Sequence, residues 1–231
     1  MNYSSDSSKA FQWATLIFST VTIVYLAAAA VRENVTADWR RYQKEYGRIL
    51  AAKRGTVAEF PIEIRQVTVP ALKAVDRCVS CHNGIDDPRM AGQRNPHKTH
   101  PKGLLQIHRV ERFGCTICHQ GQGAALTFEE AKAEEYFWDY PLLPAALTEA
   151  TCNSCHNPRA LPAGAAAKLV RGMKLYAQLG CGGCHKLDGK GGPLGPALDN
   201  VGLKTKHQFV RANLKGAQTV WNWLDQHFRD P

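Results

Sequence analysis

Cysteine and histidine recur in this chain in one fixed pattern. All eight cysteines lie in four copies of Cys-x-x-Cys-His, which read CVSCH (78–82), CTICH (115–119), CNSCH (152–156) and CGGCH (181–185). This pattern is the attachment sequence of a c-type haem, in which both thiols form thioethers and the histidine is placed to ligate the iron. The predicted attachment residues are Cys78, Cys81, Cys115, Cys118, Cys152, Cys155, Cys181 and Cys184. The predicted iron ligands are His82, His119, His156 and His185, and the sequence therefore predicts four covalently bound haem c groups.

Paired cysteines have other uses. Four Cys-x-x-Cys pairs could build two tetrahedral zinc sites, or they could form disulfides or redox dithiols. None of these uses requires a histidine directly after the second cysteine, yet all four pairs have one. The pattern therefore favours haem.

The histidines outside these motifs are candidates for the second axial position of each iron. His97, His100 and His108 lie in the stretch NPHKTHPKGLLQIH at 95–108. If this stretch is helical, His100 and His108 are a little over two turns apart and diverge by roughly 80°, which suits two different haems. We expect His100 and His108 to be distal ligands, with His97 and Met90 as further candidates. A surface position is the alternative for each histidine.

The formal net charge of the chain is +9, which could indicate a nucleic-acid partner. Four haems would bring about eight propionate charges and nearly cancel this excess. The aromatic residues also show no pattern for stacking on bases. We therefore expect no nucleic-acid partner.

The first thirty residues contain one long apolar stretch. Residues 10–31 carry no charge, and as a helix they would span roughly 33 Å, enough to cross the hydrocarbon core of a membrane. Trp13 and Tyr25 lie towards the two ends, where interfacial aromatics are expected. A cleaved signal peptide is the competing interpretation, because LAAAAV offers small residues to a peptidase. We predict an uncleaved transmembrane anchor.

The charges around this stretch conflict with the chemistry of the motifs. Lys9 is the only basic residue before it, whereas several follow it, and the positive-inside rule would place the large domain in the cytoplasm. Haem attachment normally takes place outside the cytoplasmic membrane of bacteria, and nearby acidic residues dilute the charge bias. We predict a single-pass protein of the bacterial cytoplasmic membrane with its haem domain in the periplasm.

Residues 35–55 predict a helix that begins near Thr36 or Asp38 and ends at Gly55. One face of this helix carries an aromatic stripe, which we expect to pack against another subunit or the membrane surface. The stripe consists of Trp39, Tyr42 and Tyr46. Residues 60–70 alternate between apolar and polar and are bounded by prolines, which predicts an edge strand.

We divide the chain into four parts. Residues 1–34 form the anchor, 35–76 a juxtamembrane helix and extended linker, 77–165 a trihaem segment and 166–231 a monohaem domain. The haem region is rich in Gly and Pro and has few apolar stripes. We therefore expect a mainly α, loop-rich fold in which the haems supply much of the core.

The stretch GMKLYAQLGCGGCHKLDGKGGPLGPALDNVG at 172–202 resembles a class I monohaem cytochrome c. A helix leads into CGGCH and a glycine-rich loop follows, and the resemblance covers 168–231. It implies a helical domain in which Pro196 packs on the haem and its carbonyl orients His185.

This stretch departs from the family in one respect. The family has a distal methionine well after the motif, and no methionine follows His185 here. The fourth haem is then expected to take its distal ligand from a continuation past Pro231, from His207 or His227, or from another subunit.

A wider resemblance involves DRCVSCHNGIDDP, NPHKTHPKGLLQIH, FGCTICHQGQG and PLLPAALTEATCNSCH. Together they are similar to multihaem cytochromes c that accompany bacterial quinol-oxidising complexes of the cytochrome bc type, over about 35–231. The resemblance implies an electron-transfer subunit that receives electrons through cytochrome b and Rieske-type partners and passes them to a periplasmic acceptor. Some relatives carry a histidine close before PLLP, where this chain has EEYFWDY. The third haem's distal position is therefore open, methionine-bound or ligated from elsewhere.

Three other functions remain open at this point. The chain could oxidise quinol itself at the membrane surface, or it could donate electrons to a photosynthetic reaction centre. A multihaem reductase would need an open iron position, and no Cys-x-x-Cys-Lys motif occurs. We therefore expect an electron carrier and not an enzyme.

Overall fold

The computed structural model describes residues 3–54, 60–134, 137–209, 212–216 and 219–230. The described chain is mainly helical, which confirms that part of the predicted fold class, and it contains one pair of short strands. The α-helices are α1 (Tyr3–Asn34), α2 (Asp38–Arg54), α3 (Leu104–Ile107), α4 (Val110–Phe113), α5 (Thr116–His119), α6 (Phe128–Lys132), α7 (Ala167–Gln178) and α8 (Val220–Arg229). The strands are β1 (Val67–Val69) and β2 (Ala74–Asp76).

The chain forms two compact units. The first comprises Met1–Val67 and Arg77–Arg109, and the second comprises Thr68–Asp76 and Val110–Pro231. The first Cys-x-x-Cys-His motif lies in the first unit and the other three lie in the second. The four-part division predicted from the sequence follows the positions of the motifs, whereas the two units follow the packing of the chain. That division stays a prediction.

Helix α1 is the candidate membrane span. It is long and apolar enough to cross a bilayer by length and composition, and it is the one such helix among the described residues. A signal sequence near the N-terminus would have the same properties. The side chains of Phe11, Phe18 and Tyr25 are each about three-quarters exposed. Burial of these apolar side chains in the hydrocarbon region of a membrane would be favourable.

Helix α2 packs onto the first unit with an apolar face. Trp39, Tyr46 and Leu50 are buried, and Tyr46 and Leu50 pack against the fully buried Met90. The Phe60 ring meets the Tyr46 ring edge-on, with 4.9 Å between centroids. The expectation that the aromatic stripe faces another subunit or the membrane is therefore wrong for Trp39 and Tyr46, which lie in the core of their own unit.

The helix predicted over 35–55 is thus confirmed as α2, which begins at Asp38. Its predicted end at Gly55 lies outside the described residues.

The strand predicted over 60–70 is found only at Val67–Val69, where β1 pairs with β2 through a 3-10 turn at Pro70–Leu72. The preceding residues are extended but pair with side chains. The Gln43 amide donates to Glu63 O at 2.7 Å and accepts from Glu63 N at 2.9 Å. The Ser80 hydroxyl likewise binds both Arg65 N and Arg65 O. The prediction is wrong for 60–66 because a buried amide and a hydroxyl take the place of a neighbouring strand.

The polypeptide core of the second unit is small. Its buried apolar residues are Val69, Val110, Ala125, Ala133 and Leu143. None of the residues that the structure describes between 144 and 230 is buried. Leu179, Leu194 and Leu203 are each more than two-thirds exposed. This part of the chain therefore removes little apolar surface from water by itself, which limits the stability it can reach alone.

Candidate functional site

The four Cys-x-x-Cys-His motifs fold into the same short turn. In each, the backbone N–H groups of the second cysteine and of the histidine both donate to the carbonyl of the first cysteine. The N···O distances are 3.1 and 2.8 Å at Cys78, 3.2 and 3.0 Å at Cys115, 3.3 and 2.9 Å at Cys152, and 3.2 and 3.0 Å at Cys181. Side chains three and four residues apart in such a turn are neighbours. Both sulfurs can therefore reach one macrocycle, with the histidine beside them.

None of the eight cysteines forms a disulfide. Burial raises the pKa of the Cys81 thiol to about 11, and it also raises the pKa values of Cys118 and Cys152. A redox dithiol needs a thiolate, which these raised pKa values disfavour at neutral pH. No group of three or more His, Cys, Asp or Glu side chains placed to hold a metal ion occurs in the described ranges.

The histidine of the fourth motif is held from two sides. The Nδ1 of His185 donates to Pro196 O at 2.8 Å, which leaves Nε2 for a metal. From α7, the Tyr176 hydroxyl donates to His185 O at 2.9 Å. A Cβ on Gly195 would clash with the His185 ring, so glycine is required where the ring crosses the backbone. The Pro196 hydrogen bond is the one that the class I resemblance implies, while packing of Pro196 on a haem stays a prediction.

The glycine-rich loop after this motif folds back onto it. Gly195 N donates to Cys184 O at 2.8 Å, and Gly192 N donates to Gly182 O at 2.9 Å. Gly191 has φ +129°, and a Cβ there or at Gly192 would overlap backbone of the motif. Only glycine fits a backbone conformation and an approach of this kind. The loop thereby fixes the carbonyl that orients His185.

The second motif is anchored by a residue that the sequence analysis missed. The side chain of Asp76 is fully buried and accepts from Cys115 N, from Thr116 N at 3.0 Å and from the Thr116 hydroxyl at 2.7 Å. Cβ atoms at Gly114 or Gly123 would overlap its carboxylate oxygens. Asp76 stands just before the first motif in sequence, and no local pattern links it to Cys115, 39 residues later.

The structure brings three motifs together in the second unit. Helix α5, which carries the second motif, packs against the 3-10 helix Thr148–Ser154, which carries the start of the third. The Thr151 hydroxyl donates to Cys118 O at 3.1 Å across this contact. Helix α7 contacts both Thr148–Ser154 and the 3-10 helix Cys181–Gly183 of the fourth motif. The second, third and fourth motifs are therefore linked by continuous packing.

His97 packs against α2 in the first unit. It is 4% exposed, and its Nε2 lies 3.3 Å from a carboxylate oxygen of Glu45. Its ring also lies beside those of Tyr42 and Tyr46, with centroids 6.1 and 6.3 Å away. Neither ring nitrogen of His97 forms a hydrogen bond in the described structure, so these contacts leave its polar atoms unsatisfied. Ligation of iron by His97 stays a prediction.

His100 and His108 do not share a helix. Helix α3 includes only Leu104–Ile107, because Gly103 adopts φ +60° at its start. His100 lies before this break, with Nδ1 3.0 Å from Pro101 O, and His108 N closes α3 by donating to Leu104 O at 2.9 Å. The condition that one helix carries both is not met, so the angle of roughly 80° calculated for such a helix does not apply. Their assignment as distal ligands stays a prediction.

Two further histidines lie in the C-terminal part. His207 Nε2 is 3.9 Å from an Asp139 carboxylate oxygen. The His227 ring stacks on Trp223, with centroids 5.1 Å apart, and lies 5.9 Å from the His185 ring. His207 and His227 stay predicted candidates for the distal position at the fourth motif. Met90, the other candidate, is a fully buried member of the first unit's core.

Comparison with known proteins identifies one region. Residues 169–228 match the family model described as Cytochrome c. No curated protein and no solved structure matches the chain. The matched region contains the fourth motif and most of α7 and α8, and it agrees with the class I resemblance noted for 168–231. The chain therefore carries a cytochrome c domain, which implies covalently bound haem c and a role in electron transfer.

The residues present fit this cofactor. A free thiol pair stands on one turn with a histidine directly after it, and in the fourth motif the imidazole is oriented with Nε2 available. The exposed leucines of this region offer apolar surface to a flat macrocycle. The donor set is thus that of a haem c site.

Proposed function

We propose that the chain is a tetrahaem c-type cytochrome that passes electrons from a membrane quinol-oxidising complex to an acceptor in the periplasm. The observation that carries this proposal is the identical turn of all four motifs, which together use every cysteine. One recognised cytochrome c domain contains the fourth motif. Because the other three have the same thiol spacing and backbone hydrogen bonds, we extend haem attachment to them.

A bound haem c supplies a one-electron couple whose potential depends on the axial ligands, on hydrogen bonds around them and on burial. The chain's own residues hold and orient that group. The cysteines attach it, the motif histidine ligates the iron, and the Pro196 carbonyl fixes the tautomer and ring plane of His185. A hydrogen bond of this type to the second ring nitrogen also raises the basicity of the ligating one.

The packing of the second unit supports electron transfer between cofactors attached at its motifs. The second and third motifs meet through Thr151 and Cys118, and α7 bridges the third and the fourth. Cofactors attached at these three places would lie in succession along one compact unit. Rigid attachment to packed turns would keep their separations constant.

Helix α1 supports a membrane anchor for this carrier, and we assign the motifs to the periplasmic side, where haem attachment to such motifs normally takes place. Helix α1 is the one candidate span among the described residues, and one helix alone cannot enclose a quinol within the membrane. We therefore assign quinol oxidation to partner subunits of the cytochrome b and Rieske type, with this chain as their electron acceptor.

The test is to add a reduced short-chain quinol to membranes that contain the chain and its partners, and to follow the haem α-band. The proposal predicts reduction in these membranes and none in the purified chain in detergent. Rapid reduction of the purified chain would instead show a quinol site of its own. No reduction in either sample, with all haems attached, would contradict the proposal.

A further inference from the structure

The second motif is built around a buried negative charge. Among the described residues, Asp76 is the one carboxylate in the buried class, and its side chain is fully inaccessible. A buried carboxylate is unfavourable unless its oxygens are hydrogen-bonded. Asp76 meets this condition through three donors, all of which belong to the second motif.

Both oxygens of Asp76 are used. One accepts the backbone N–H groups of Cys115 and Thr116, and the other accepts the Thr116 hydroxyl. Gly114 and Gly123 leave the space that the carboxylate fills. All three partner groups can donate to Asp76, as a carboxylate, which accepts hydrogen bonds and donates none, requires. No basic side chain forms an ion pair with it in the part of the chain that the structure describes, so its charge has no counterion there.

We propose that Asp76 positions the second motif and sets the reduction potential of the haem bound there. The hydrogen bonds to Cys115 and Thr116 hold the start of the turn that ends at His119. A fixed negative charge close to this turn, shielded from water, stabilises the more positive oxidised iron. Asp76 therefore lowers the potential of the second haem. This inference rests on the proposed attachment of a haem at Cys115 and Cys118.

The geometry allows the charge to be removed without breaking the network. In Asp76→Asn, the amide oxygen can accept the two backbone N–H groups while its NH₂ donates to Thr116, whose hydroxyl can also accept. Thr116→Val makes the opposite change. It keeps the Asp76 carboxylate and removes the hydroxyl dipole that partly offsets the negative charge of that carboxylate.

The experiment is a spectroelectrochemical titration of the full-length holoprotein and its variants, with haem content measured on the same samples. Asp76→Asn is expected to shift one of the four reduction steps to a more positive potential. Thr116→Val is expected to shift the same step to a more negative potential. Asp225→Asn, at an exposed carboxylate paired with Arg229, is the control and should leave all four steps in place.

Opposite shifts are the signature of an electrostatic role, because a loosened turn would move the potential in the same direction in both variants. Four attached haems with unchanged potentials in Asp76→Asn would overturn the inference. If Asp76→Asn fails to retain the second haem, Thr116→Val decides alone, and the absence of a negative shift overturns the inference. A wild-type chain without haem at Cys115 and Cys118 would refute the proposed function instead.

Discussion

At the scale of single residues, the fourth motif shows how a ligand is prepared by its surroundings. His185 does not lie on a long helix itself, since its motif is a single turn. Its orientation comes from the Pro196 carbonyl, from Tyr176 and from the glycine that lets the ring lie against the backbone. Each contact is short, and each can be removed separately.

Gly195→Ala tests this arrangement. The added Cβ would overlap the His185 ring, so the imidazole must move away from its axial direction. We expect weakened ligation of the haem at the fourth motif and a destabilisation of about 1–3 kcal/mol from overpacking. Magnetic circular dichroism of the oxidised protein measures this ligation. Gly202→Ala is the matched control, because a Cβ there meets nothing within 4 Å. Equal spectra for the two variants would contradict the account.

Tyr176→Phe removes only the hydrogen bond to His185 O, which joins α7 to the motif. We expect a loss of about 0.5–1.5 kcal/mol in the free energy of unfolding, with all four haems still attached. Denaturant titration of the holoprotein measures this loss. An unchanged free energy of unfolding would show that the bond adds nothing beyond the packing of the ring.

Some of these residues could be predicted from the sequence and others could not, and the difference has a physical reason. Haem attachment depends on spacing within five residues, so the cysteines and motif histidines can be read directly. Pro196 was found through a resemblance over a longer stretch. Asp76 and Gln43 act on residues 39 and 20 positions away, and neither contact leaves a local pattern.

At the scale of elements, α2 organises the first unit through one buried side chain. The Gln43 amide is fully buried and makes three hydrogen bonds, two to Glu63 and one to Ser80 O at 2.9 Å. It thereby fastens the extended segment 60–66 and the turn of the first motif to the same helix.

Gln43→Ala would leave these backbone groups without their partner. An unsatisfied buried group costs about 1–3 kcal/mol, and we expect a destabilisation of at least this size. Guanidinium unfolding of the holoprotein measures it, with Lys44→Ala on the exposed side of the same helix as control. A similar small effect in both variants would show that water replaces the amide.

Helix α2 also contributes a pH-dependent contact. The Arg89 side chain, the Arg89 N–H and the Tyr46 hydroxyl all donate to Asp87, and they hold the pKa of its carboxyl below the ordinary value of 3.8. Because the folded pKa is the lower one, this stabilisation is complete above the ordinary value. It is lost as the pH falls through the folded pKa.

Asp87→Asn should therefore remove part of the acid dependence of the free energy of unfolding, measured from neutral pH to below 3.8. Asp86→Asn is the neighbouring exposed control. An identical acid dependence in wild type and Asp87→Asn would exclude this contact as a source of stability.

At the scale of the whole molecule, the two units differ in how they are stabilised. The first has a side-chain core of Tyr46, Leu50 and Met90. In the second, no described residue between 144 and 230 is buried. We therefore expect the fold of residues 144–230 to depend on haem attached at the motifs within it.

Replacing the cysteines of all four motifs by serine prevents haem attachment. This change should lower the stability of the two units unequally. We expect residues 144–230 to lose protection from hydrogen exchange and proteolysis, while α2 and its core retain part of theirs. Peptide-level hydrogen exchange on wild type and variant measures this difference. Retained protection across α7 and α8 would contradict a haem-dependent fold.

The helical class of the molecule could be predicted because α1, α2 and α7 each carry their own pattern. The two compact units could not be predicted. Residues 68–76 belong with the second unit, although they precede the first motif, and a pairing of this kind depends on distant partners. A single helix through His100 and His108, on which the angle between them depended, is interrupted for a local reason, the left-handed Gly103.

The central claim is that all four motifs bind haem, and the most direct test is the number of haems covalently attached to one chain. Intact-mass analysis of the purified protein, combined with peptide mapping, gives both the number and the positions. The account predicts four haems, one on each cysteine pair. A single haem at Cys181 and Cys184, with free thiols, zinc or disulfides at the other three motifs, would contradict it.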